Sequence, residues 1–587
     1  MSGDEWITGG ASTPVWSAGQ HTGGLPGVQM GQGCRVHVLS DERVRIALVG
    51  DVIVGPAQER SLLEAAAGRR WPDLTRLPGS YWVVVQSSTS TFVCGDLSGF
   101  RSVFYAGQGA STVWSTRAGR LAQHCQSQPD LDMVLARVVA GPEHWPTRTT
   151  YDKVRAVPAG FGLLLGGGEP RLVDVSDIVP TLSLADGAPS FGEALEQAVA
   201  WRMGEVEVAS SDVSGGLDSS SLAILAGRTG LVRAVTYADR YTSGEDLLYA
   251  RRVASHMEVA LEVGQGGADE LPFNWFWDQP LTDQPAALAL TTAQHALYLR
   301  PVAGLPFHLT GNGGDIVLDS SSAAWIAMVQ RGERRAARRQ VTGWARARNR
   351  PAGALWQAVT RAASITHGEA LLSAAQRLER AELEPRRPGV WSWCHLGNSA
   401  SWLTAEGRER VGALLREAAG ASGWETRADL AEQRSSLGLV GADARDTGPL
   451  ATSWRIRPVH PFLDNTVVRA AFSIDPVERH GVTSFKPLLA AAVPSLPPWL
   501  TGRRSKGSFT RQLTAGLIEH RLALSHLLRN SSLATGGLLD PEPALAALNR
   551  IGGTRADALY DLQRLIMACH WLAARDQHLN ARRHAAC

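Results

Sequence analysis

The sequence predicts an α/β protein of two domains: a β-rich sandwich over residues 1–185, then a doubly wound parallel-sheet domain with helical additions over 190–587. Three observations predict it. The chain has 587 residues, more than one hydrophobic core usually organises. Short β-branched runs punctuated by glycine fill its first third. After about residue 205 strand, glycine loop and helix patterns alternate, as a parallel sheet with crossover helices requires.

In the first part the runs VRIALVGDVIV (44–54), SYWVVVQ (80–86), TFVCGD (91–96), SVFYAG (102–107) and GFGLLLGGG (160–168) read as strands between turns. A stretch rich in Pro, Ser, Asp and Gly (174–190) reads as a linker, and FGEALEQAVAWRM (191–203) as the first helix beyond it. EVEVASSDVSGGLDSSSLAILAG then gives strand, loop and helix; VRAVTYA, containing Thr236, a strand; EDLLYARRVASHM a helix; and PFHLTGNGGDIVL strand, loop and helix. Ligands of such a sheet bind at the carboxyl ends of its strands. Residues 330–440 and 510–587 read as helical. The Arg-dense segment 331–350 reads as a solvated helix face, with a docking surface for an acidic partner as the alternative.

Composition excludes several classes. With 44% hydrophobic and 19% charged residues and a net charge of +2, the chain is neither disordered nor a nucleic-acid-coating protein. It has no run of roughly 18 apolar residues to span a membrane and no basic, apolar leader, so a cytoplasmic location is expected. Six scattered cysteines lack metal-ligand spacing and read as reduced. Of 58 basic residues only Lys153, Lys486 and Lys506 are lysine. A lysine kept where arginine serves everywhere else points to a site that needs a compact ammonium.

The motif richest in chemistry is Val213-Ser214-Gly215-Gly216-Leu217-Asp218-Ser219-Ser220, an apolar strand feeding a small-residue loop that opens a helix at about Ser220. Backbone N–H groups and the helix dipole converge there on an anion site. Asp218 beside such a site makes sense if Mg²⁺ bridges it to phosphate. No GK[ST] follows, so the loop is not a Walker A loop.

SGGLDSS resembles the pyrophosphate-loop signature of the asparagine synthetase family, whose members form an acyl-adenylate from ATP. Four more strings follow in family order: SGEDLLYARRVASHM (243–257), LTGNGGDIVL (309–318), RPVHPFLDNTVVRAAFSI (457–474) and SFKPLLAAAVPSLPPWLTGRRSKGSF (484–509). The resemblance implies ATP and Mg²⁺ as cofactors, with Asp218 and Asp315 on the metal. It places Gly311, Asn312 and Thr236 beside the nucleotide, and Lys486 and Lys506 at the phosphates and the reacting centre.

The resemblance also covers the first part, through GSYWVVVQSSTSTFVCGDLSGFRSVFYAG (79–107) and TVWSTRAGRLAQ (112–123). It implies an N-terminal-nucleophile-hydrolase-like αββα glutaminase fold. The family's nucleophile is a cysteine at position 2, where this chain has Ser2, and Val49-Gly50-Asp51 is a degenerate remnant of a glutamine-gripping string. A dead glutaminase domain leaves an amine other than glutamine-derived ammonia as the acceptor. Family members of that kind include β-lactam synthetases and lasso peptide macrolactam synthetases. At Asn312 a β-lactam synthetase has a tyrosine and an asparagine-forming enzyme a glutamate, and the helical material at 320–440 gives room for a peptide. The expectation is therefore a lasso-type macrolactam synthetase acting on a linear precursor peptide. A leader-peptide-binding protein and a leader peptidase are its implied partners, with no nucleic acid and no membrane. A non-catalytic nucleotide-binding protein is the alternative from a different class.

Overall fold

The computed structural model describes residues 5–10, 25–274, 279–382, 389–421, 425–482, 484–505, 507–552 and 558–585, with side chains of the last helix to His578. Ser2 and Lys506 lie outside the described residues.

Eleven strands precede residue 175: β1 (Ile7–Gly10), β2 (Gln29–Met30), β3 (Val36–Ser40), β4 (Val44–Val52), β5 (Gly79–Ser87), β6 (Thr91–Cys94), β7 (Val103–Ala106), β8 (Val113–Ser115), β9 (Arg155–Val157), β10 (Phe161–Leu165) and β11 (Arg171–Asp174). They form two antiparallel sheets, ordered β2-β1-β8-β7-β9 and β11-β10-β6-β5-β4-β3. Period-2 alternation decides the layering. Along β4, Ala47 and Val49 point into the core shared by both sheets, where they meet Ile7, Val103 and Trp114. Ile46 and Leu48 point outward, into a cluster with Leu62 and Ala65 of the helix Pro56–Ala67. The other sheet packs outward through Phe104 and Ala106 against the helices Ala118–His124 and Leu131–Ala140. The layers are helix, sheet, sheet, helix.

The second part is built on five strands: β12 (Val208–Asp212), β13 (Leu231–Ala238), β14 (Leu261–Gln265), β15 (His308–Leu309) and β16 (Pro458–Val459). All neighbours pair parallel, in the order β14-β13-β12-β15-β16. Both faces are covered. Val232 and Ala234 join the cluster that holds the helix Leu217–Gly227, whereas Val235 faces Leu299, Val302 and Ile456. The chain winds outward from β12 to β14 and then returns to the other side of β12 as β15, so the strand order reverses between β12 and β15. Ligands of open α/β sheets bind at such a reversal.

Two boundaries differ from the sequence expectation. The helix expected over 191–203 begins at Leu184, inside the segment read as linker. Ser183 caps it, its Oγ accepting from the Asp186 amide at 3.2 Å, and this local cap outweighs the helix-breaking tendency of Pro189. The helix after the glycine loop begins at Leu217 rather than near Ser220, because Gly216 takes the extended N-cap conformation. The segment 331–350 forms the helix Arg334–Ala347, which buries Ala337, Val341 and Ala345 and turns its arginines outward. Among the described residues no helix is long and apolar enough to cross a membrane.

Candidate active site

Val213 extends the ladder of β12, its amide donating to Val235 O at 2.9 Å. Val213 and Leu217 are buried at 0% and 3% exposure, so both pin the loop and leave only their backbone for a ligand. Between them the chain turns through Gly215 at φ +81°, where a Cβ would meet Asp246 O at 2.2 Å. Only glycine allows that approach to the helix Gly244–His256. Ser214 and Ser219 tie the loop across itself, Oγ to Oγ, at 2.9 Å. Ser220 is fully buried, and its Oγ has no hydrogen-bond partner among the described residues.

The loop after β15 lies directly on this one. A Cβ at Gly311 would meet Ser219 N at 2.8 Å, and one at Gly314 would meet Asp218 Cγ at 2.6 Å. The Asn312 amide donates to Thr310 Oγ1 at 3.4 Å, and Thr310 Oγ1 in turn bonds His460 Nδ1 at 2.6 Å. Asp218 and Asp315, distant in sequence, therefore flank the reversal point together. Thr236 is buried on β13, one residue beyond the Val235 carbonyl that holds Val213.

Lys486 joins the two carboxylates. Its ammonium is paired with Asp218 and lies 2.7 Å from Asp315 Oδ1. The lysine is 2% exposed, whereas the Asp315 side chain is 57% exposed, so the cluster has a buried floor and an open side. The backbone of Lys486 is left-handed, at φ +51°, a conformation held by its surroundings. Asp319 supplies that hold, accepting from the Lys486 amide at 3.2 Å and the Gly481 amide at 2.9 Å. Burial works against ionisation of Asp319, but the His480 ring and the backbone donors keep its carboxyl below the usual range. The two carboxylates converge on the Lys486 ammonium, and carboxylate oxygens are the hard donors that Mg²⁺ prefers.

Sequence reasoning did not single out Arg503. Its guanidinium donates to Gly215 O and pairs with Asp246, and it stacks over Tyr249 at 4.3 Å. Ser505 Oγ donates to Glu245 Oε1 at 2.6 Å and the Gly507 amide to Asp246 Oδ1 at 3.3 Å. The residues around Lys506 are thus fastened to the back of the glycine loop. Nothing in GRRSKGSF distinguishes Arg503 from the exposed Arg504.

In the first part, Gly50-Asp51 lies in a different setting. Asp51 is paired with Arg457 and lies 3.8 Å from Arg202, which forks Asp464 at 2.6 and 2.8 Å. Arg101, paired with Glu5, completes the group. Burial alone would raise the Asp51 carboxyl, but Arg457, Arg202 and Arg101 hold it at about 2. The position is filled by charges that link the two parts of the chain.

The family described as asparagine synthase matches residues 190–573. No curated protein matches the chain. Among solved structures, the glutamine phosphoribosylpyrophosphate amidotransferase of B. subtilis complexed with ADP and GMP is 12% identical over 49% of this chain and 58% of its own, with a TM-score of 0.16. The allosteric regulatory enzyme of purine biosynthesis is 13% identical over 47% of this chain and 55% of its own, again with a TM-score of 0.16. The chain spans little more than half of either structure, and at these scores neither bears on the argument.

Proposed function

The chain belongs to the asparagine synthase family, which matches nearly two thirds of it, and we propose on that footing that it is an ATP-dependent, AMP-forming amide ligase that closes a macrolactam in a ribosomal peptide. The observation that carries the ligase reading is the meeting of Asp218, Asp315 and Lys486 where the strand order reverses. In this reading the triphosphate lies over the amides of residues 214–220, with Ser219 and Ser220 as hydroxyl donors. Asp218 and Asp315 would hold Mg²⁺, which would supply charge neutralisation for the phosphates.

A peptide Asp or Glu side-chain carboxylate attacks the α-phosphorus and pyrophosphate departs along the glycine loop toward Lys486. The peptide's N-terminal amine then attacks the acyl-adenylate carbonyl, forming the C–N bond and releasing AMP. Lys506 stabilises the negative charge of both transition states, a task that preorganised charge performs best in a site closed to water. The Asp51 cluster supports an amine acceptor in place of glutamine, since the remnant of the glutamine grip is consumed by Arg457 and Arg202. An αββα glutaminase-like fold that no longer hydrolyses glutamine accords with the layers of the first part. A precursor peptide, a leader-peptide-binding protein and a leader peptidase belong to the same proposal.

The test is to incubate the purified chain with ATP, Mg²⁺ and linear peptides bearing an Asp or Glu several residues from a free N-terminus. Peptide-dependent pyrophosphate release with loss of one water from the peptide mass is the expected result. Glutamate release from glutamine coupled to turnover would overturn the acceptor assignment.

A further inference from the structure

A cavity of about 590 Å³ lies between the segment 142–161 and the helix Ala428–Ser453. No residue of the 213–220 loop, the 311–315 loop or Lys486 lines it. Five arginines do: Arg137, Arg148, Arg155, Arg434 and Arg445. Two of them are neutralised by the protein. Arg148 pairs with Asp130 at 3.1 Å and Glu417 at 2.9 Å, and Arg445 pairs with Asp446 at 2.9 Å.

Arg137 is not. Its guanidinium donates to two neutral oxygens, Gln284 Oε1 at 3.2 Å and the Arg148 carbonyl at 2.6 Å. Its Nε is buried without a partner, and no carboxylate lies within ion-pairing distance among the described residues. Burial and the nearby Arg445 and Arg148 lower its pKa to about 10, with Asp130, already paired to Arg148, opposing them only in part. Arg155 and Arg434 have no carboxylate partner among the described residues either. The wall also holds four carboxylates, Glu143, Asp283, Glu417 and Glu425, of which Glu417 pairs with Arg148 and Asp283 lies 3.9 Å from Arg445. Glu143 lies 4.0 Å from His144, and Glu425 accepts the Arg427 amide at 2.9 Å. Arg137 is half-buried, its Nε fully so, and a partly desolvated cation facing neutral oxygens gains from a ligand that brings counter-charge. The volume falls in the range of small-molecule sites, and Phe104, Tyr105, Trp145 and Phe161 give the wall an apolar, aromatic character suited to a carbon skeleton.

We propose that this cavity is a second binding site, remote from the nucleotide cluster, that takes the carboxylate of an apolar organic acid, with Arg137, Arg155 and Arg434 supplying the positive charge. Two sources present that chemistry, a free carboxylic acid or the C-terminal carboxylate of a peptide.

Calorimetric titration of the full chain with N-acetylphenylalanine, with a tetrapeptide ending in phenylalanine, and with the amide of each separates them. The acid form of at least one probe is expected to bind tenfold or more tightly than its amide, and that preference to vanish in Arg137→Met and shrink several-fold in Arg434→Gln. Tighter binding of the tetrapeptide acid by tenfold assigns the site to a peptide terminus; equal affinity of the two acids assigns it to a small acid. Arg434 is exposed, so its variant keeps the test decisive if Arg137→Met fails to fold. Equal binding of acids and amides, or an acid preference unchanged in both variants, overturns the proposal.

Discussion

Two clusters of buried charge, one in each part of the chain, use the same residue types to opposite ends. Around Asp51, the three arginines Arg101, Arg202 and Arg457 meet the three carboxylates Glu5, Asp51 and Asp464, and Asp51 is 5% exposed. Around Lys486, one buried ammonium serves two carboxylates, of which Asp315 is more than half exposed. Glycines crowd the loops together, and Ser220 Oγ is left without a partner among the described residues. The first cluster is matched in charge and largely closed, as a joint between layers should be, although the Nε atoms of Arg101 and Arg202 have no hydrogen-bond partner among the described residues. The second stays open on one side, as a site must. The difference lies in balance of charge and in access, not in residue type.

The comparison breaks most visibly at the open cluster. Asp218→Asn and Asp315→Asn are each expected to abolish detectable AMP and pyrophosphate release; the exposed Asp315→Asn should keep its melting temperature, whereas Asp218→Asn, which takes the closest partner from the buried Lys486, should also lose some stability. If the proposed metal site is right, neutralising either carboxylate removes affinity and geometry for Mg²⁺. Near-normal turnover at ordinary Mg²⁺ would show that the pair holds no metal.

At the closed cluster the same chemical change should act on stability. Asp51→Asn strands Arg457 and Arg202 in a buried place, and breaking such a pair by removing one partner costs about 3–5 kcal/mol. Denaturant unfolding should record that loss, with nucleotide affinity intact below the melting range. Arg457 is itself 20% exposed, which sets the expectation at the lower end. An unchanged unfolding midpoint would mean that the network joins nothing.

Lys506→Arg keeps the charge and replaces a small ammonium with a planar fork. ATP affinity is expected to be near normal and lactam formation to fall roughly 100-fold, about 2.7 kcal/mol in the barrier. Lys506 lies outside the described residues, but Arg503, Ser505 and Gly507 fasten its neighbours against Gly215, Glu245 and Asp246. Cyclisation within a few-fold of the parent would reduce Lys506 to one more surface cation.

What the sequence made legible was local. The glycine loop could be read because small residues after an apolar strand dictate their own backbone, and the parallel sheet because strand and helix periods alternate. The joint could not be read, since Asp51 and its partner Arg457 are 406 residues apart and nothing in the string at 49–51 points to a distant arginine. Arg503 and Asp319 were illegible for the same reason: their roles come from a carbonyl and two amides contributed by other segments. Pro189 and Ser220 misplaced two helix starts because a cap at Ser183 or Gly216 is settled by one residue's backbone, which periodicity does not report.

The smallest effect expected sharpens the comparison at a third buried group, the pair His144 and His367, whose rings share a hydrogen bond of 3.1 Å. Burial lowers both to about 4, against about 6.5 in an unfolded chain. Between those values the folded protein binds fewer protons than the unfolded one, so stability falls as pH drops from 6.5 toward 4. Glu143, 4.0 Å from His144, opposes this. Burial raises its carboxyl, so it binds protons more readily when folded, and its share of stability is present at low pH and lost as pH rises. Asp51, held at about 2, contributes almost no slope above about pH 5 and adds to the loss below it, where the carboxylate of the unfolded chain begins to bind protons. The net expectation is a loss of roughly 1–2 kcal/mol between pH 7 and pH 5, the two linked rings counted together and Glu143 offsetting part. His367→Gln removes one titrating ring and the partner that disfavours protonation of the other, so its stability should vary less with pH over the same interval. Equal pH dependence in parent and variant, measured by chemical unfolding, would show that the acid sensitivity arises elsewhere.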